Sequence, residues 1–496
     1  MVFKQRPTHT TVDQFMGTQA FIDDPIDKMQ CVGFIREYHN WNWDEGNIWT
    51  GGGNLDYQGY PNNQMKWAPS EAGWNFDGYY SNVKKANLVI SPVIQGSVAW
   101  LQGRADFRNN QKPIDSTALN TTDPFSYKAK AFHMYQFAAR YGSKKVPDSL
   151  LALAPGQPRL SGLNLIGYVE DWNEQDKDWE GEHAYFSPEE YAAMCSADYD
   201  GHGGTMNTGT VSFGVKSADP NMKLVMGGLA YPDLDYIIAM HRWFEQNRAD
   251  KKFAADVINV HWYSWADGKG PHGGGPAKSP EEDDLEGRMK EFVEYRDEFL
   301  SGETEVWISE FGYDTHPESP LRVPVIDGCD AEEVQAQWIV RAYLAFAAAG
   351  VDKAMQYMLR DVDPSSSVQF ASSGLVSKKG EWKPKKSWYY VYTMKNVLTG
   401  MKFIGKMSSG HDEVLIYKFK KVDESAGAYV LWCPTAKNLT VKSFQLPVSA
   451  NVKSISSIEM TPGDTNGIEA ELKIEEGKVF INVSERPVFV CVNHID

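Results

Sequence analysis

Two carboxylates stand out by the company they keep. In IGYVEDWNEQDKDW (Ile166–Trp179) an apolar run gives out at Asn173-Glu174, and in VWISEFGY (Val306–Tyr313) another gives out at Glu310. Two carboxylates facing each other across a pocket are what cleavage of a glycosidic bond needs. One must be protonated, to hand its proton to the departing oxygen. The other must be ionised, to attack or shield the anomeric carbon. Their surroundings must therefore pull the two pKa values apart. Glu310 is expected to be the ionised partner, since Arg36 and the Tyr263 hydroxyl have the chemistry to hold it charged. Glu174 is expected to be the acid, raised by the neighbouring anion and by apolar walls. Asn173 is expected to hydrogen-bond a sugar hydroxyl next to the anomeric carbon.

For these residues to meet, the chain must bring distant strand ends together. From about residue 17 to 399, short apolar runs ending in polar or aromatic clusters alternate with amphipathic stretches, the rhythm of βα units on a parallel sheet. Eight candidate strands follow: Gly17–Asp23, Gly33–His39, Leu88–Gln95, Asn164–Glu170, Leu224–Leu229, Val257–Tyr263, Glu305–Glu310 and Lys353–Leu359. Between them, Tyr127–Gly142 and Ala331–Gly350 keep helical periodicity and stop at glycine. Ser279, Pro280 and Glu282 read as the capped start of a third helix. Eight such units predict an α/β fold, a (β/α)8 barrel over residues 13–399. A doubly wound open sheet is the alternative, but no GxGxxG follows the first strand. After residue 400 the text turns to short strands between turns. It predicts a smaller C-terminal antiparallel β-sandwich over 400–496, which a strand from residues 1–12 could join.

In a barrel, the C-terminal strand ends share one mouth. Reading those ends adds His39, Asn40 and Trp41 after the second strand, His261, Tyr263 and Trp265 after the sixth, and Gln356, Tyr357 and Arg360 after the eighth. With Arg36 and Asn173, all of these except Tyr357 are the candidate substrate contacts. Each has a plainer reading. His261 is as apt to be a structural hydrogen-bonder as a contact. Arg36 could pair with Glu37 or Asp44, although strand neighbours face opposite ways. Glu170 falls inside strand text, and Glu45 and Glu71 lack strand context. The acidic run Glu281–Glu286 reads as a solvated helix start. At least some of Trp41, Trp43, Trp49, Trp67, Trp74 and Trp100 are expected to form stacking platforms along a cleft, the remainder packing loops. The loop Ala266–Pro280, rich in glycine, is long enough to suggest a functional role.

Asn173-Glu174 closing the fourth strand and Glu310 closing the seventh resemble the signature of glycoside hydrolase clan A. Arg36 on the second strand and His261–Tyr263 on the sixth fit that clan's supporting residues, and the C-terminal sandwich is similar to that of family 39 and its relatives. The resemblance implies a retaining glycosidase that acts by double displacement on a β-linked poly- or oligosaccharide. Glu310 would be the nucleophile and Glu174 the acid/base, with no cofactor. One departure is visible. The clan commonly closes its eighth strand with tryptophan, where this chain has Gln356 and Tyr357.

Composition trims the rivals. The 496 residues carry a formal charge of −17, which disfavours nucleic acid and anionic membrane as partners. No apolar run is long enough to span a bilayer. Five scattered cysteines make no metal spacing and at most one bridge. Neither GxSxG nor HExxH occurs, and no metal ligand set is visible. The start lacks an apolar signal core, so the expectation is a secreted, periplasmic or surface protein whose signal has been removed, with the cytoplasm as the alternative. A non-catalytic carbohydrate-binding protein on the same scaffold is the rival function. A lyase or aldolase would call for a lysine at a strand end or a metal cluster.

Overall fold

The computed structural model describes residues 10–44, 75–102, 110–114, 120–152, 158–266, 270, 275–300, 302–422 and 424–496. Trp49, Trp67, Trp74, Glu45, Glu71 and residues 267–269 and 271–274 of the loop 266–280 lie outside the described residues. Eight parallel strands close into a barrel: β1 (Met16–Gln19), β2 (Phe34–Asn40), β3 (Val89–Gln95), β4 (Tyr168–Asn173), β5 (Lys223–Gly228), β6 (Val257–His261), β7 (Glu305–Phe311) and β8 (Lys353–Gln356). They pair in sequence order, and β8 returns to β1. The eight expected strands are all present. The fourth is displaced, running through Asn173 instead of ending at Glu170.

The alternation of strand side chains explains the lumen. At the amino-terminal end, Phe34, Val225, Val257, Trp307 and Met355 form a dry plug, capped by Lys353, whose ammonium lies 4.8 Å from the Phe34 ring centroid. Two residues further along β2 and β4, the lumen turns polar at Arg36 and Glu170, both fully buried. The outer faces of the strands pack against helices. Helix Lys128–Tyr141 stops at Gly142, and helix Ala331–Ala349 stops at Gly350, which takes the left-handed conformation glycine tolerates. The third expected helix starts later than its sequence suggests. Asp284 caps Leu285–Phe299, and Ser279 instead closes a turn by accepting the Glu282 N–H at 3.2 Å.

The C-terminal domain holds β9 (Met401–Lys406), β10 (Leu415–Lys421), β11 (Gly427–Trp432), β12 (Thr440–Pro447), β13 (Ile455–Glu459), β14 (Ile468–Glu471), β15 (Lys478–Ser484) and β16 (Val488–Val492). Six of them form one sheet, β14-β13-β16-β11-β10-β9, and β12-β15 form the facing pair. Their own core includes Ile416, Leu431, Leu446, Val483 and Val490. The opposite face of the large sheet belongs to the barrel's core through Phe419, Val430, Trp432 and Phe489. Here the acidic run departs from its expected solvated role. Glu281 accepts from the Trp432 indole at 2.7 Å and pairs with buried Arg341, while Glu286 pairs with Lys406 at 2.6 Å. The run is a docking seam. Residues 1–9 of the expected extra strand lie outside the described residues; Thr10 and Thr11 lead into a single helical turn, Val12–Phe15. All five cysteines are free thiols. No described helix is long and apolar enough to cross a membrane.

Candidate active site

The site is built around Arg36, which projects from β2 into the lumen. Its five N–H groups are all used. Nε and Nη2 grip the two oxygens of Glu170 at 2.7 Å each, and Nη2 also reaches Asn173 Oδ1 at 2.7 Å. Nη1 reaches Glu310 Oε1 at 2.6 Å and Gln19 Oε1 at 3.1 Å. A planar guanidinium can tie two carboxylates and two amides into one fixed cluster in this way. The side chains of Arg36 and Glu170 are wholly buried. Glu170, a weak candidate by sequence, is therefore the counter-charge that lets Arg36 sit in the lumen. The rival pairings of Arg36 with Glu37 or Asp44 do not occur. Glu37 faces the other way, where it accepts from the Tyr80 hydroxyl at 3.3 Å.

The Glu310 carboxylate accepts three hydrogen bonds at the mouth. Oε1 accepts from Arg36 and from the Tyr38 hydroxyl at 2.8 Å; Oε2 accepts from the Tyr263 hydroxyl at 2.7 Å. Burial alone would raise its pKa. The charges of His261 and Arg36 and the two tyrosine hydroxyls outweigh burial and hold the carboxyl below its ordinary range. Its position depends on a slip in register. Val260 pairs with Ile308, but His261 pairs with Glu310, so one extra residue of β7 is accommodated there.

Glu174 follows β4 in the left-handed region, φ 52°, and its amide donates to Gly228 O at 2.9 Å. Its side chain is 24% exposed. The wall beside it is polar, not the apolar one expected. His261 Nδ1 lies 3.1 Å from Glu174 Oε1 and 3.6 Å from Glu310 Oε2. Burial would lower the His261 pKa, but Glu310 and then Glu174 reverse this and hold it above the ordinary histidine value, with Arg36 opposing. The imidazole thus bridges the two carboxylates. It fits there because residue 228 is glycine; a Cβ at that position would lie 2.2 Å from His261 Nε2.

One oxygen of Glu174, one of Glu310 and a His261 nitrogen all lie within 4.8 Å of one another. This donor set could hold a cation on geometry alone. Arg36 already occupies the cationic position at Glu310, and every oxygen of that carboxylate takes a hydrogen bond. The arrangement is that of a hydrogen-bonded acid pair. Around it stand Tyr263, Trp265, Tyr231, Tyr357 and Phe370, with Phe370 4.7 Å from Tyr263 and 5.3 Å from Tyr357 between ring centroids. Tyr357 is the aromatic ring at the end of β8.

Six of the twelve residues nominated by sequence converge here: Arg36, Asn173, Glu174, His261, Tyr263 and Glu310. Trp265 stands one ring away, 5.4 Å from Tyr263. Asn40, half-buried, ends β2 beside Gln95, and no contact joins it to the pair among the described residues. Four others serve the fold. His39 is fully buried behind β2, bonded to the Tyr80 hydroxyl and Asp44 at 2.7 Å each. Trp41 is fully buried and packs edge-on to Trp100, so it offers no face to a sugar. Trp43 is likewise buried, stacked on Phe76. Gln356 points into the wall, taking the Thr18 hydroxyl at 3.0 Å and donating to Ser373 O at 2.8 Å. Arg360 pairs with Asp24 at 2.8 Å and lies over the Phe21 ring. Sequence reading missed the supporting roles of Gln19, Tyr38 and Glu170. Period-two spacing from Arg36 and Tyr168 would have found the last two.

No protein-family model matches the chain, and no curated protein matches it. Solved structures do. A family 39 glycoside hydrolase from the gut symbiont Bacteroides cellulosilyticus superposes with a TM-score of 0.62 at 15% identity, over 97% of this chain and 82% of that one. A GH30 endoxylanase from Clostridium papyrosolvens gives 0.56 at 11% identity, over 99% and 98%. A family 51 α-L-arabinofuranosidase from Bifidobacterium longum gives 0.54 at 11%, over 99% and 98%. At such identities the shared property is the fold: a closed eight-stranded barrel carrying a C-terminal β domain.

Proposed function

We propose that the chain is a retaining glycoside hydrolase acting on a β-linked poly- or oligosaccharide. The observation that carries this reading is the closeness of two unlike carboxylates. Oxygens of Glu174 and Glu310 lie within 4.8 Å. Retaining enzymes space their carboxyl groups by about 5–5.5 Å, whereas inverting ones leave roughly 6.5–9.5 Å for a water. The two environments differ. Glu310 is buried and held ionised; Glu174 is partly open to solvent on the rim. The fold shared with solved glycoside hydrolases adds support.

In the proposed cycle a Glu310 oxygen forms a bond to the anomeric carbon while the bond to the leaving oxygen breaks. Glu174 gives that oxygen its proton. A water then attacks the same carbon, Glu174 takes the water's proton, and the ester bond to Glu310 breaks to regenerate the carboxylate. The two inversions leave the configuration unchanged. His261, between both acids, follows the charge as it leaves Glu310 and returns. Asn173, its oxygen committed to Arg36, keeps its amide N–H groups for a substrate hydroxyl.

The test is replacement of Glu310 by glycine. Hydrolysis of β-linked aryl glycosides and polysaccharides should be abolished. Added azide should restore turnover as a glycosyl azide of inverted configuration. Unchanged hydrolysis in Glu310→Gly would refute the nucleophile assignment.

A further inference from the structure

Trp179 is 54% exposed, an unusual position for a large ring with no role in the core. It is not a loose end. It sits in the short helical turn Asp178–Glu180, which Gly181 closes at φ 90°. The loop is tied back on itself by Ala184 N–H and Tyr185 N–H to Gly181 O and by Phe186 N–H to Gln175 O at 2.8 Å. The Asp176 carboxylate accepts from the amides of Ala230 and Tyr231 at 2.8 and 3.2 Å, locking this loop to the one that follows β5. Burial pushes that carboxyl up to about 6 even against those amides.

The Trp179 ring is the outer end of a continuous aromatic track. It meets Tyr231 edge-on at 6.1 Å, Tyr231 meets Trp265 at 6.4 Å, and Trp265 meets Tyr263 at 5.4 Å. Tyr263 donates to Glu310. The track therefore runs from the nucleophile to solvent along loops that also carry Glu174. Beyond that contact, more than half of the Trp179 surface stays open to solvent. An exposed aromatic ring held by a tied loop at the end of that track suits the apolar C–H face of a pyranose ring. The flanking charges are both acidic, Asp178 and Glu180, and no described ion pair neutralises either. They disfavour a carboxylated or sulfated chain at this place.

We propose that Trp179 is a stacking platform for a sugar on the leaving-group side of the cleaved bond, and that the chain bound there is uncharged. This rests on the glycosidase reading for the side assigned, because Glu174, the proton donor to the leaving oxygen, lies on the same loop. The site would take a β-linked neutral oligosaccharide such as a xylan, glucan or mannan chain.

The test separates binding from turnover. In the inert Glu310→Ala protein, xylohexaose, cellohexaose, mannohexaose and a galacturonate hexamer are titrated by calorimetry, with and without Trp179→Ala. At least one neutral hexamer should bind, and Trp179→Ala should weaken it about tenfold. Trp179→Phe should recover part of the affinity. Neutral binding untouched by Trp179→Ala, no binding of any neutral hexamer, or tighter binding of the galacturonate would each overturn the proposal. With Glu310 restored, Trp179→Ala should raise KM for the hexamer while leaving kcat/KM for its nitrophenyl glycoside unchanged, since that substrate has no sugar beyond the cleaved bond. Equal loss on both would place Trp179 elsewhere in the mechanism and overturn the side assigned. Trp179-dependent binding without hydrolysis would instead sink only the glycosidase reading.

Discussion

Replacing Tyr263 by phenylalanine isolates one hydrogen bond at the carboxylate proposed to attack. The hydroxyl donates to Glu310 Oε2 at 2.7 Å, and no other partner of that oxygen is closer than His261 Nδ1 at 3.6 Å. The ring stays useful without its oxygen, packed against Phe370 and Trp265. A hydrogen bond to a charged group contributes about 1.5–3 kcal/mol. Removing it from the ionised form only, at 1.36 kcal/mol per pH unit, raises the Glu310 pKa by about one to two units. Arg36 and Tyr38 stay on Oε1, so the lower figure is expected. Because the ionised form must attack, the acid limb of kcat/KM should move up by about one unit. The same bond matters when the carboxylate departs in the second step and recovers its charge. That step should slow by about tenfold, and a nitrophenyl glycoside should then show a burst of released nitrophenol equal to the enzyme present. The melting temperature should fall only a few degrees. An acid limb that stays put or moves down, with no burst from a folded variant, would refute this account of how Glu310 is held charged.

Other expectations follow from the same structure. Gly228→Ala places a Cβ 2.2 Å from His261 Nε2 and 2.7 Å from Ser309 Oγ; the imidazole must leave its place between the carboxylates, and kcat should fall about tenfold or more, with retained circular dichroism excluding unfolding. Glu281→Ala leaves buried Arg341 and the Trp432 indole without their shared acceptor, so calorimetry should show destabilisation of about 3 kcal/mol while kcat is unchanged. His133 is buried, and burial chiefly, opposed by Asp44 and reinforced by Lys130 and His39, pushes its imidazole down to about 3. The unfolded chain takes up a proton near the ordinary histidine value that the native state refuses, so unfolding free energy should fall as pH drops from about 6.5 towards 3. His133→Phe should flatten that slope, as urea titrations at several pH values would reveal.

Much of this was legible in the sequence, for a physical reason. Parallel strands buried on both faces read as short apolar runs, so all eight could be placed, and strand ends in a barrel must share a mouth. Arg36, Asn173, Glu174, His261, Tyr263 and Glu310 follow from that rule alone. The errors have a common cause as well. His39, Trp41, Gln356 and Arg360 also lie near strand ends, but proximity in sequence to the mouth does not say which way a side chain faces. His39 is one residue past Tyr38 and turns to the helices. In the second domain, β9, β13 and β14 carry little apolar signal: β14 is exposed throughout, β9 buries only Met401, and β13 buries only Ile455 and Ser457.

The two irregularities that make the site could not have been read from alternation, and they are what brings Asn173 and Glu310 to the mouth. By strict period two from Tyr168 and Glu170, Trp172 should enter the lumen and Asn173 should face the helices. The reverse is found. Trp172 sits at φ 90° and packs edge-on to Phe186 outside the barrel, while Asn173 reaches Arg36 inside. Positive φ at a tryptophan and again at Glu174 stores strain of about 1–3 kcal/mol each, which persists only where neighbours enforce it. Here they do. The Tyr191 hydroxyl donates to Asp171 O at 2.6 Å and accepts from Gly227 N–H at 2.7 Å, and Gln175 Nε2 donates to Gly227 O at 2.8 Å. Side chains thus satisfy the ladder groups that the turned-out Trp172 leaves open between β4 and β5. The register slip in β7 does for Glu310 what the positive φ of Trp172 does for Asn173. Both acids therefore reach the mouth because their strands break the pattern that identifies them as strands, and the residues that hold those breaks open, Tyr191, Gln175 and Gly228, belong to the site as much as the carboxylates they position.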